Sequence, residues 1–293
     1  MKLSRGEKIF SVVNAIILTV VSLAILLPFT HVLAISLSSR EYVAMHRLTL
    51  FFPNLFQLDV EAYKYILNGS SNFLRSFNNT VFITVVGTAL ELAFVLFMAY
   101  PLSRKQLKYK PQLMLFIFIP MIVNPGIIPN FIIVKETHLM NSLWSLIIPN
   151  LASAFNILLA INFFKTIPDS LEESAFIDGA GHFTIATRII LPMSLPVIAS
   201  VTIFTAVGQW NTFFNAFMYL NDSTKFTLQV LLYQMVSSGS PSSFISQTGS
   251  MYVPPGEQIQ MAAVVITALP IAILYPFIQR YYIKGITLGS VKG

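Results

Sequence analysis

Long apolar stretches separated by short polar segments dominate this sequence. Six stretches reach the length that a helix needs to cross the hydrocarbon core of a bilayer, about 20 residues. They cover approximately residues 9–37, 78–102, 111–134, 144–164, 191–220 and 259–283. Because lipid offers the backbone no hydrogen-bond partners, such stretches form helices. The pattern predicts an all-α, polytopic membrane protein with six transmembrane helices in a single domain, residues 1–293.

The third predicted span contains residues that interrupt a helix. Asn124-Pro125-Gly126 and Pro129 fall in its middle, and proline removes a backbone hydrogen bond that lipid cannot replace. We therefore expect this break to face protein or a water-filled cavity.

Composition agrees with a lipid environment. Hydrophobic residues make up 55% of the chain and charged residues 10%, against roughly 45–50% and about 25% in soluble domains. There are no cysteines, which excludes disulfides and thiol catalysis. The four histidines lack the spacing of a helical metal site. The sequence also has no basic patch interleaved with aromatic residues, the pattern that would indicate nucleic-acid binding. We predict no metal and no catalytic residues.

The distribution of lysine and arginine predicts the orientation. Twelve of the 18 fall in the N-terminus, residues 104–110, residues 165–188 and the C-terminal tail. Basic loops stay in the cytoplasm, so both termini are predicted to be cytoplasmic. The first apolar run is longer than a cleavable signal's 7–15 residues, which favours an uncleaved helix.

A polar segment between the fourth and fifth spans, residues 168–188, predicts two short cytoplasmic helices. Ser170 and Glu173 have the spacing of a capping box, and Asp169 with Glu172 repeats it one residue earlier. Asp178-Gly179 supplies a turn, since glycine tolerates the angles that end a helix. An ordinary capped surface helix would show the same local signals.

The same segment resembles the EAA signature of ABC importer permeases. Glu173-Ser174-Ala175, then Gly179, then Ile189-x-Leu191-Pro192 follow its spacing, with serine in place of one alanine. The resemblance implies a type I importer fold, and coupling helices that dock on an ATPase subunit. The residues assigned to coupling are Glu172, Glu173, Ser174, Ala175, Asp178, Gly179 and Ala180.

Three further segments are similar to the second permease subunit of carbohydrate importers. They are Asn79-Thr80, Trp210-Asn211 and the tail from Gln279 to Gly293. Within that group the short outer loops and basic N-terminus look most like permeases for alginate or rhamnogalacturonan oligosaccharides. The resemblance implies import of a polysaccharide-derived, uronate-containing oligosaccharide across the bacterial inner membrane.

That resemblance also implies the partners. They are a sister permease in a heterodimer, two ATPase subunits that bind ATP and Mg, and an extracytoplasmic solute-binding protein. No phosphate-binding loop occurs in this chain, so no cofactor is expected on it, and it is not expected to be an enzyme.

The fifth span offers a candidate wall for the sugar pathway. Thr202, Thr205, Gln209, Thr212, Ala216 and Tyr219 recur at helical spacing, so they are predicted to share one face. Gln209, Asn211, Asn215 and the rings of Trp210 and Tyr219 have the chemistry that sugars need. Small and polar faces also serve helix packing in lipid, and the sequence leaves both readings open.

Glu91 is an acidic residue in the middle of the second span, where a charge costs several kcal/mol, about 2.5–3.5 on the insertion scale for aspartate, lysine and arginine. We assign Glu91 to the pathway. The sequence leaves three contacts open for its side chain: a cation of a partner subunit, a neighbouring amide, or the cavity.

A secondary transporter or channel is the alternative function, although the spans carry almost no other residue that could couple transport to an energy source. A membrane enzyme lacks a nucleophile and base pair.

Overall fold

The computed structural model describes residues 4–45, 58–69, 71–123, 125–238 and 254–290. The regular elements in these ranges are helical, which confirms the all-α prediction. The α-helices are α1 Arg5–Ser36, α2 Arg40–Met45, α3 Glu61–Gly69, α4 Ser71–Ser103, α5 Lys110–Ile122, α6 Ile127–Glu136, α7 Trp144–Ile147, α8 Ala154–Phe164, α9 Asp169–Ile177, α10 His182–Ile185, α11 Leu191–Met193, α12 Leu195–Trp210, α13 Phe214–Tyr219, α14 Leu228–Ser237 and α15 Gly256–Ser290.

Three of the helices, α1, α4 and α15, are long and apolar enough to cross a membrane unaided. Three bent pairs bring the possible number of spans to six within the described residues: α5 with α6, α7 with α8, and the helix ending at Met193 with α12. A polytopic membrane protein with six spans is consistent with this arrangement. The predicted outer segment around 237–256 lies mostly outside the described residues.

The third span is interrupted where the sequence predicts. Helix α5 ends at Ile122 and α6 begins at Ile127. Gly126, at φ 83°, precedes α6 in a conformation that favours glycine. Pro129 does not add a second break, contrary to expectation. It lies in the first turn of α6, where its missing N–H has no intrahelical acceptor to lose.

The fifth span is not the single helix predicted over 191–220. The chain bends by 80° between Met193 and Leu195, and α12 ends at Trp210 before α13 begins at Phe214. Thr212, Ala216 and Tyr219 therefore do not continue the face of α12, and the prediction of one shared face is wrong beyond residue 210.

Prolines explain the first of these bends. Pro192 and Pro196 carry no N–H and so cannot bond the carbonyls four residues before them. The preceding segment Ala186–Ile190 forms a π-helix turn, a form found as a local bulge in α-helices. At the bend, the buried Ser194 Oγ donates to the Ile190 carbonyl at 2.7 Å.

The chain divides into two compact units. The first contains residues 1–74 and 231–269. Within it, Gln258 Nε2 donates to the Ser38 carbonyl at 2.7 Å, and Tyr63 Oη donates to Ser36 Oγ at 2.7 Å. These bonds fix the end of α1 to α3 and to the start of α15. Ile35, Ile66 and Ile259 are buried around them.

The second unit contains residues 75–230 and 270–293 and has two apolar cores. One packs the end of α4 against α8, α9 and α12, with Phe164 and Ile185 fully buried. The other packs the start of α4 against α6, α7 and α13, with Ile83 and Leu146 fully buried. Each candidate site is built on one of these cores.

Asn79 and Thr80 attach α4 to the segment before α14. Asn79 Nδ2 donates to the carbonyls of Thr224 and Phe226, at 2.9 and 3.1 Å. Thr80 Oγ1 accepts from the Leu228 N–H at 2.9 Å, so it caps a helix start whose N–H groups have no intrahelical partner. The two residues singled out in the sequence are thus structural ties.

Replacing Thr80 with valine should therefore lower stability, because the Leu228 N–H would remain buried without an acceptor. We expect a loss of about 1–3 kcal/mol, seen as a lower unfolding temperature of the purified protein. Thr84 is the matched control, since its hydroxyl is buried one turn later without a hydrogen-bond partner. Thr84→Val should leave the unfolding temperature unchanged or raise it. Equal losses in both variants would contradict the capping role.

Candidate functional site

The first candidate site is the helix pair at residues 168–188. Helix α9 starts at Asp169, with Pro168 at the capping position and no side-chain cap. The expected capping boxes at Ser170 and Glu173, and at Asp169 and Glu172, do not form. The helix begins one or two residues earlier than they require, and the carboxylates of Asp169 and Glu172 turn to cations instead.

The end of α9 is fixed by a left-handed turn at Gly179, whose φ is 83°. The Ala180 N–H donates to the Ala175 carbonyl at 2.9 Å and the Gly179 N–H to the Phe176 carbonyl at 3.0 Å. This pair of bonds is a Schellman motif. The glycine predicted from the sequence as a turn residue occupies that position, and α10 starts three residues later.

Two ion pairs attach α9 to the basic segment that follows the second span. Arg104, immediately after α4, pairs with Glu172 in a contact that leaves only 13% and 11% of the two side chains exposed. Lys105 Nζ donates to Asp169 Oδ2 at 2.8 Å in an exposed position. The Arg104 guanidinium also lies 4.9 Å from the centre of the Tyr100 ring. Helix α9 and the end of the second span therefore meet through opposite charges.

The two carboxylates experience different environments. Burial raises the pKa of Glu172, although the Arg104 guanidinium beside it favours the charged form. The Lys105 ammonium lowers the pKa of Asp169, because it donates a hydrogen bond to the carboxylate at the surface and stabilises its negative charge. Arg104 thus has the greater structural weight, because a buried carboxylate deprived of its cation is strongly destabilising.

A cavity of about 1010 Å³ opens between these elements. One wall is the face of α4 that runs from Ala93 to Arg104. The other walls are the basic segment, α9, and the helix that starts at His182.

Apolar side chains are exposed on either side of the turn. Ile177 is 87% exposed and Phe183 is 83% exposed. Among the predicted coupling residues, Glu172 and Ala175 are buried and Ala180 is partly buried, while Glu173, Ser174, Asp178 and Gly179 are exposed. The structure thus separates this set into residues that attach α9 to the bundle and residues that face outward.

The second candidate site is the predicted sugar pathway, and its residues do not form one surface. Glu91 is buried inside the bundle, where Asn156 Nδ2 donates to its Oε1 at 2.7 Å. The same amide nitrogen lies 3.3 Å from Thr205 Oγ1. Glu91 therefore has a neighbouring amide as its partner, and the contact joins α4, α8 and α12.

Gln209, Trp210 and Tyr219 are also buried. The Gln209 side chain packs on Gly87. A Cβ at residue 87 would lie 3.2 Å from the side-chain amide of Gln209. Trp210 meets Phe77 edge to face at 6.0 Å, and Tyr219 lies 6.3 Å from Phe131.

Asn211 is exposed at the break between α12 and α13, and Asn215 is partly exposed. Asn211 Nδ2 donates to the Val207 carbonyl at 2.9 Å, and Asn211 Oδ1 accepts from Gln229 Nε2 at 3.4 Å. Of the predicted pathway residues, these two asparagines are the ones whose side chains remain accessible.

Sequence reasoning missed four partners of the residues it selected: Arg104, Lys105, Asn156 and Gln229. Asn156 carried a usable signal, because a buried amide within an apolar span needs a polar partner. Arg104 and Lys105 were assigned only to membrane orientation. In the part of the chain that the structure describes, no three histidine or acidic residues come together as a metal site.

Comparison with known proteins gives a family. Residues 92–288 match the model of the binding-protein-dependent transport system inner membrane component family. A Bacillus subtilis protein described as a polygalacturonan/rhamnogalacturonan transport system permease is 44% identical over 93% of this chain and 94% of its own. The B. subtilis protein LplC is 40% identical over 99% of this chain and 97% of its own.

A solved structure shares the fold. It is described as a bacterial ABC transporter involved in the import of the acidic polysaccharide alginate, and one of its chains superposes with a TM-score of 0.86 at 29% identity. The match covers 96% of this chain and 99% of that one. The predicted importer-permease fold is confirmed.

The Gly179 turn generates a stability prediction. Gly179→Val should lower the free energy of unfolding by more than the roughly 1–2 kcal/mol that the left-handed conformation costs an ordinary residue, because its side chain is also β-branched. No described atom lies within 4 Å of a Cβ at this position, so the loss would come from the backbone alone. Gly179→Asn should retain most of the stability, since asparagine tolerates this conformation. Indistinguishable unfolding temperatures for the two variants would refute this account.

Proposed function

Since the chain belongs to the family of inner membrane components of binding-protein-dependent transport systems, we propose that it carries an oligosaccharide through the membrane for an importer driven by separate ATPase subunits. Members of this family are transport components, and the chain is accordingly a multi-pass permease rather than an enzyme. The observation that carries the energetic part of the proposal is the exposed apolar pair beside the Gly179 turn.

Ile177 and Phe183 are large apolar side chains exposed at the end of a basic, polar face. A large exposed apolar group rimmed by polar residues marks a protein contact. Lipid is a poor candidate for their neighbour, because Glu173, Ser174 and Asp178 are exposed on the same helix. This surface suits a groove on an ATPase subunit, and ATP and Mg would be bound there rather than on this chain.

Rigid attachment would let movement of such a partner reach the membrane. The Schellman turn fixes α9 relative to α10, and the Arg104–Glu172 and Lys105–Asp169 pairs hold α9 against the end of the second span. A displaced α9 would therefore pull on α4 directly. Nucleotide state would bias a two-state membrane element in this way.

The orientation and assembly follow from the same proposal. The basic segment 104–110 and the helix pair would face the cytoplasm, with both termini on that side. The remaining partners would be a sister permease in a heterodimer, a second ATPase subunit and an extracytoplasmic solute-binding protein.

Carbohydrate is the proposed cargo. The relative at 44% identity is described as a polygalacturonan/rhamnogalacturonan transport permease, and the structure at TM-score 0.86 as involved in alginate import. In this chain, the accessible Asn211 and Asn215 offer amides, and Phe214 and Phe217 nearby are about half exposed. Amides bond sugar hydroxyls, and aromatic faces pack against apolar ring surfaces.

An acidic oligosaccharide also needs cations, and residues 195–219, which form α12, the break at Asn211 and α13, contain no lysine or arginine. Arg75 and Lys135 are exposed near the predicted outer end of the bundle, and the Asp222 carboxylate lies within electrostatic range of Arg75. These cations, together with those of a sister subunit, would receive a uronate-containing chain. Glu91, buried against Asn156, would shape this route rather than bind the sugar.

The coupling surface is tested by shortening its apolar side chains. A variant carrying Ile177→Ala and Phe183→Ala should bind the ATPase subunit about tenfold more weakly or worse, since a central interface residue contributes more than about 1–2 kcal/mol. Co-purification of the ATPase subunit and uptake by reconstituted vesicles are the measurements. Ile128→Ala, 73% exposed on α6, is the control and should retain both. Normal co-purification of the double variant would remove this surface from the proposal.

The sugar face is tested by separating accessible from buried positions. Asn211→Ala should reduce sugar-stimulated ATP hydrolysis, because it removes one hydrogen bond to the sugar, worth roughly 0.5–1.5 kcal/mol. The unfolding temperature should stay unchanged. Gln209→Ala and Tyr219→Ala should instead lower the unfolding temperature, because both side chains pack inside the bundle. Alginate and rhamnogalacturonan oligosaccharides, presented with the binding protein, are the substrates to compare. Wild-type stimulation in the Asn211 variant would place the sugar elsewhere.

A further inference from the structure

Arg104 lines the cavity beside the coupling helices and has an edge without hydrogen-bond partners among the described residues. Arg104 pairs with Glu172 through Nη1. Its Nε and Nη2 atoms are buried and have no hydrogen-bond partner among the described residues. In a guanidinium group these two donors point the same way and form the fork that holds a phosphate or carboxylate bidentately. Buried donors normally have acceptors, so the edge calls for an anion.

The charges around Arg104 favour an anion despite the acidic residues of α9. Lys105 and Lys108 line the same cavity as Arg104. Lys110 and Lys165 lie close enough to interact electrostatically with one another, and Lys110 also with Arg104 and Lys105. The lining itself holds three cations and three carboxylates, Asp169, Glu172 and Glu173. Lys110 and Lys165 do not line the cavity, but their proximity makes the local charge positive.

An apolar stripe leads from the arginine into the membrane span. Ala93, Leu96, Phe97 and Tyr100 line the cavity on α4 at three- and four-residue steps, one face of the helix that ends beside Arg104. Phe97 is 78% exposed. Such a surface is expensive in water and suits an acyl chain.

We propose that this cavity binds an anionic phospholipid, with its phosphate on the Nε and Nη2 edge of Arg104 and an acyl chain along Leu96 and Phe97. A soluble phosphate would use the arginine but not the stripe, whereas a lipid uses both. Basic pockets at the cytoplasmic side of membrane helices bind anionic head groups on this principle. The bound lipid would connect the end of the second span to α9 through the residue that already pairs with Glu172.

The test uses the full chain, purified from membranes with whatever subunits accompany it. Equal amounts of phosphatidylglycerol and phosphatidylcholine are added in detergent, and native mass spectrometry counts each lipid bound. The wild type should retain phosphatidylglycerol about tenfold better or more, which corresponds to one bidentate charge-assisted contact. Equal retention of the two lipids by the wild type would overturn the proposal.

Two variants assign the effect to the guanidinium edge. Glu172→Gln keeps Arg104 and removes the competing carboxylate, so phosphatidylglycerol should bind as well as before or better. Adding Arg104→Gln replaces the ion pair with two neutral amides and should reduce the preference to that for phosphatidylcholine. Lys64→Gln, at an exposed position of α3 outside the cavity, controls for surface charge and should leave the lipid preference unchanged. Retained preference in the double variant would refute the assignment.

Two further measurements distinguish the proposed lipid contact from a loss of folding and from binding of free phosphate. Arg104→Lys keeps the positive charge for Glu172 but lacks the two-donor edge. It should lose most of the lipid preference even if the double variant does not fold, and full preference in it would contradict the proposal. An excess of inorganic phosphate should leave phosphatidylglycerol bound. Complete displacement would assign the arginine to a free anion and overturn the lipid assignment.

Discussion

The ion pair between Arg104 and Glu172 is the contact on which the placement of α9 in this permease depends. Both side chains are largely buried, so each must compensate the desolvation of the other. Arg104 follows directly on α4, and Glu172 lies in the first turn of α9. One interaction therefore determines where α9 lies against the second span. The neighbouring Lys105–Asp169 pair repeats the connection at the surface, where solvent makes it weaker.

Backbone constraints on the other side of α9 complete this fixation. Gly179 ends the helix in a turn that few residues adopt, and Pro192 and Pro196 limit the helix that follows to a sharp bend at Ser194. The Ser194 hydroxyl donates to the Ile190 carbonyl at the bend, so a backbone acceptor buried inside the protein keeps a hydrogen-bond partner. The segment between Pro168 and Ser194 is consequently held at both ends, by charge at the first and by proline geometry at the second.

The sequence predicted those features that follow from local chemistry. Apolar length gave the helical spans, proline and glycine gave the break before Ile127, and Gly179 gave the turn after α9. Features that depend on a distant partner were not predictable in this way. Asp169 and Glu172 have capping-box spacing. Their carboxylates instead form ion pairs with Lys105 and Arg104, which lie more than 60 residues away in the sequence. Tyr219 shares helical spacing with Gln209, but the break at Asn211 places the two on separate helices.

Exposed polar groups within the spans show where the described chain needs neighbours other than lipid. The most apolar window of α1 has none of its residues buried within the chain, but lipid alone can cover such a surface. The Asn211 amide and its partner Gln229 are different, because hydrogen-bonding groups that are left over in hydrocarbon cost several kcal/mol each. Backbone that leaves helical geometry at Asn211 has the same requirement. Protein or water must therefore face this break, whereas lipid alone can cover α1.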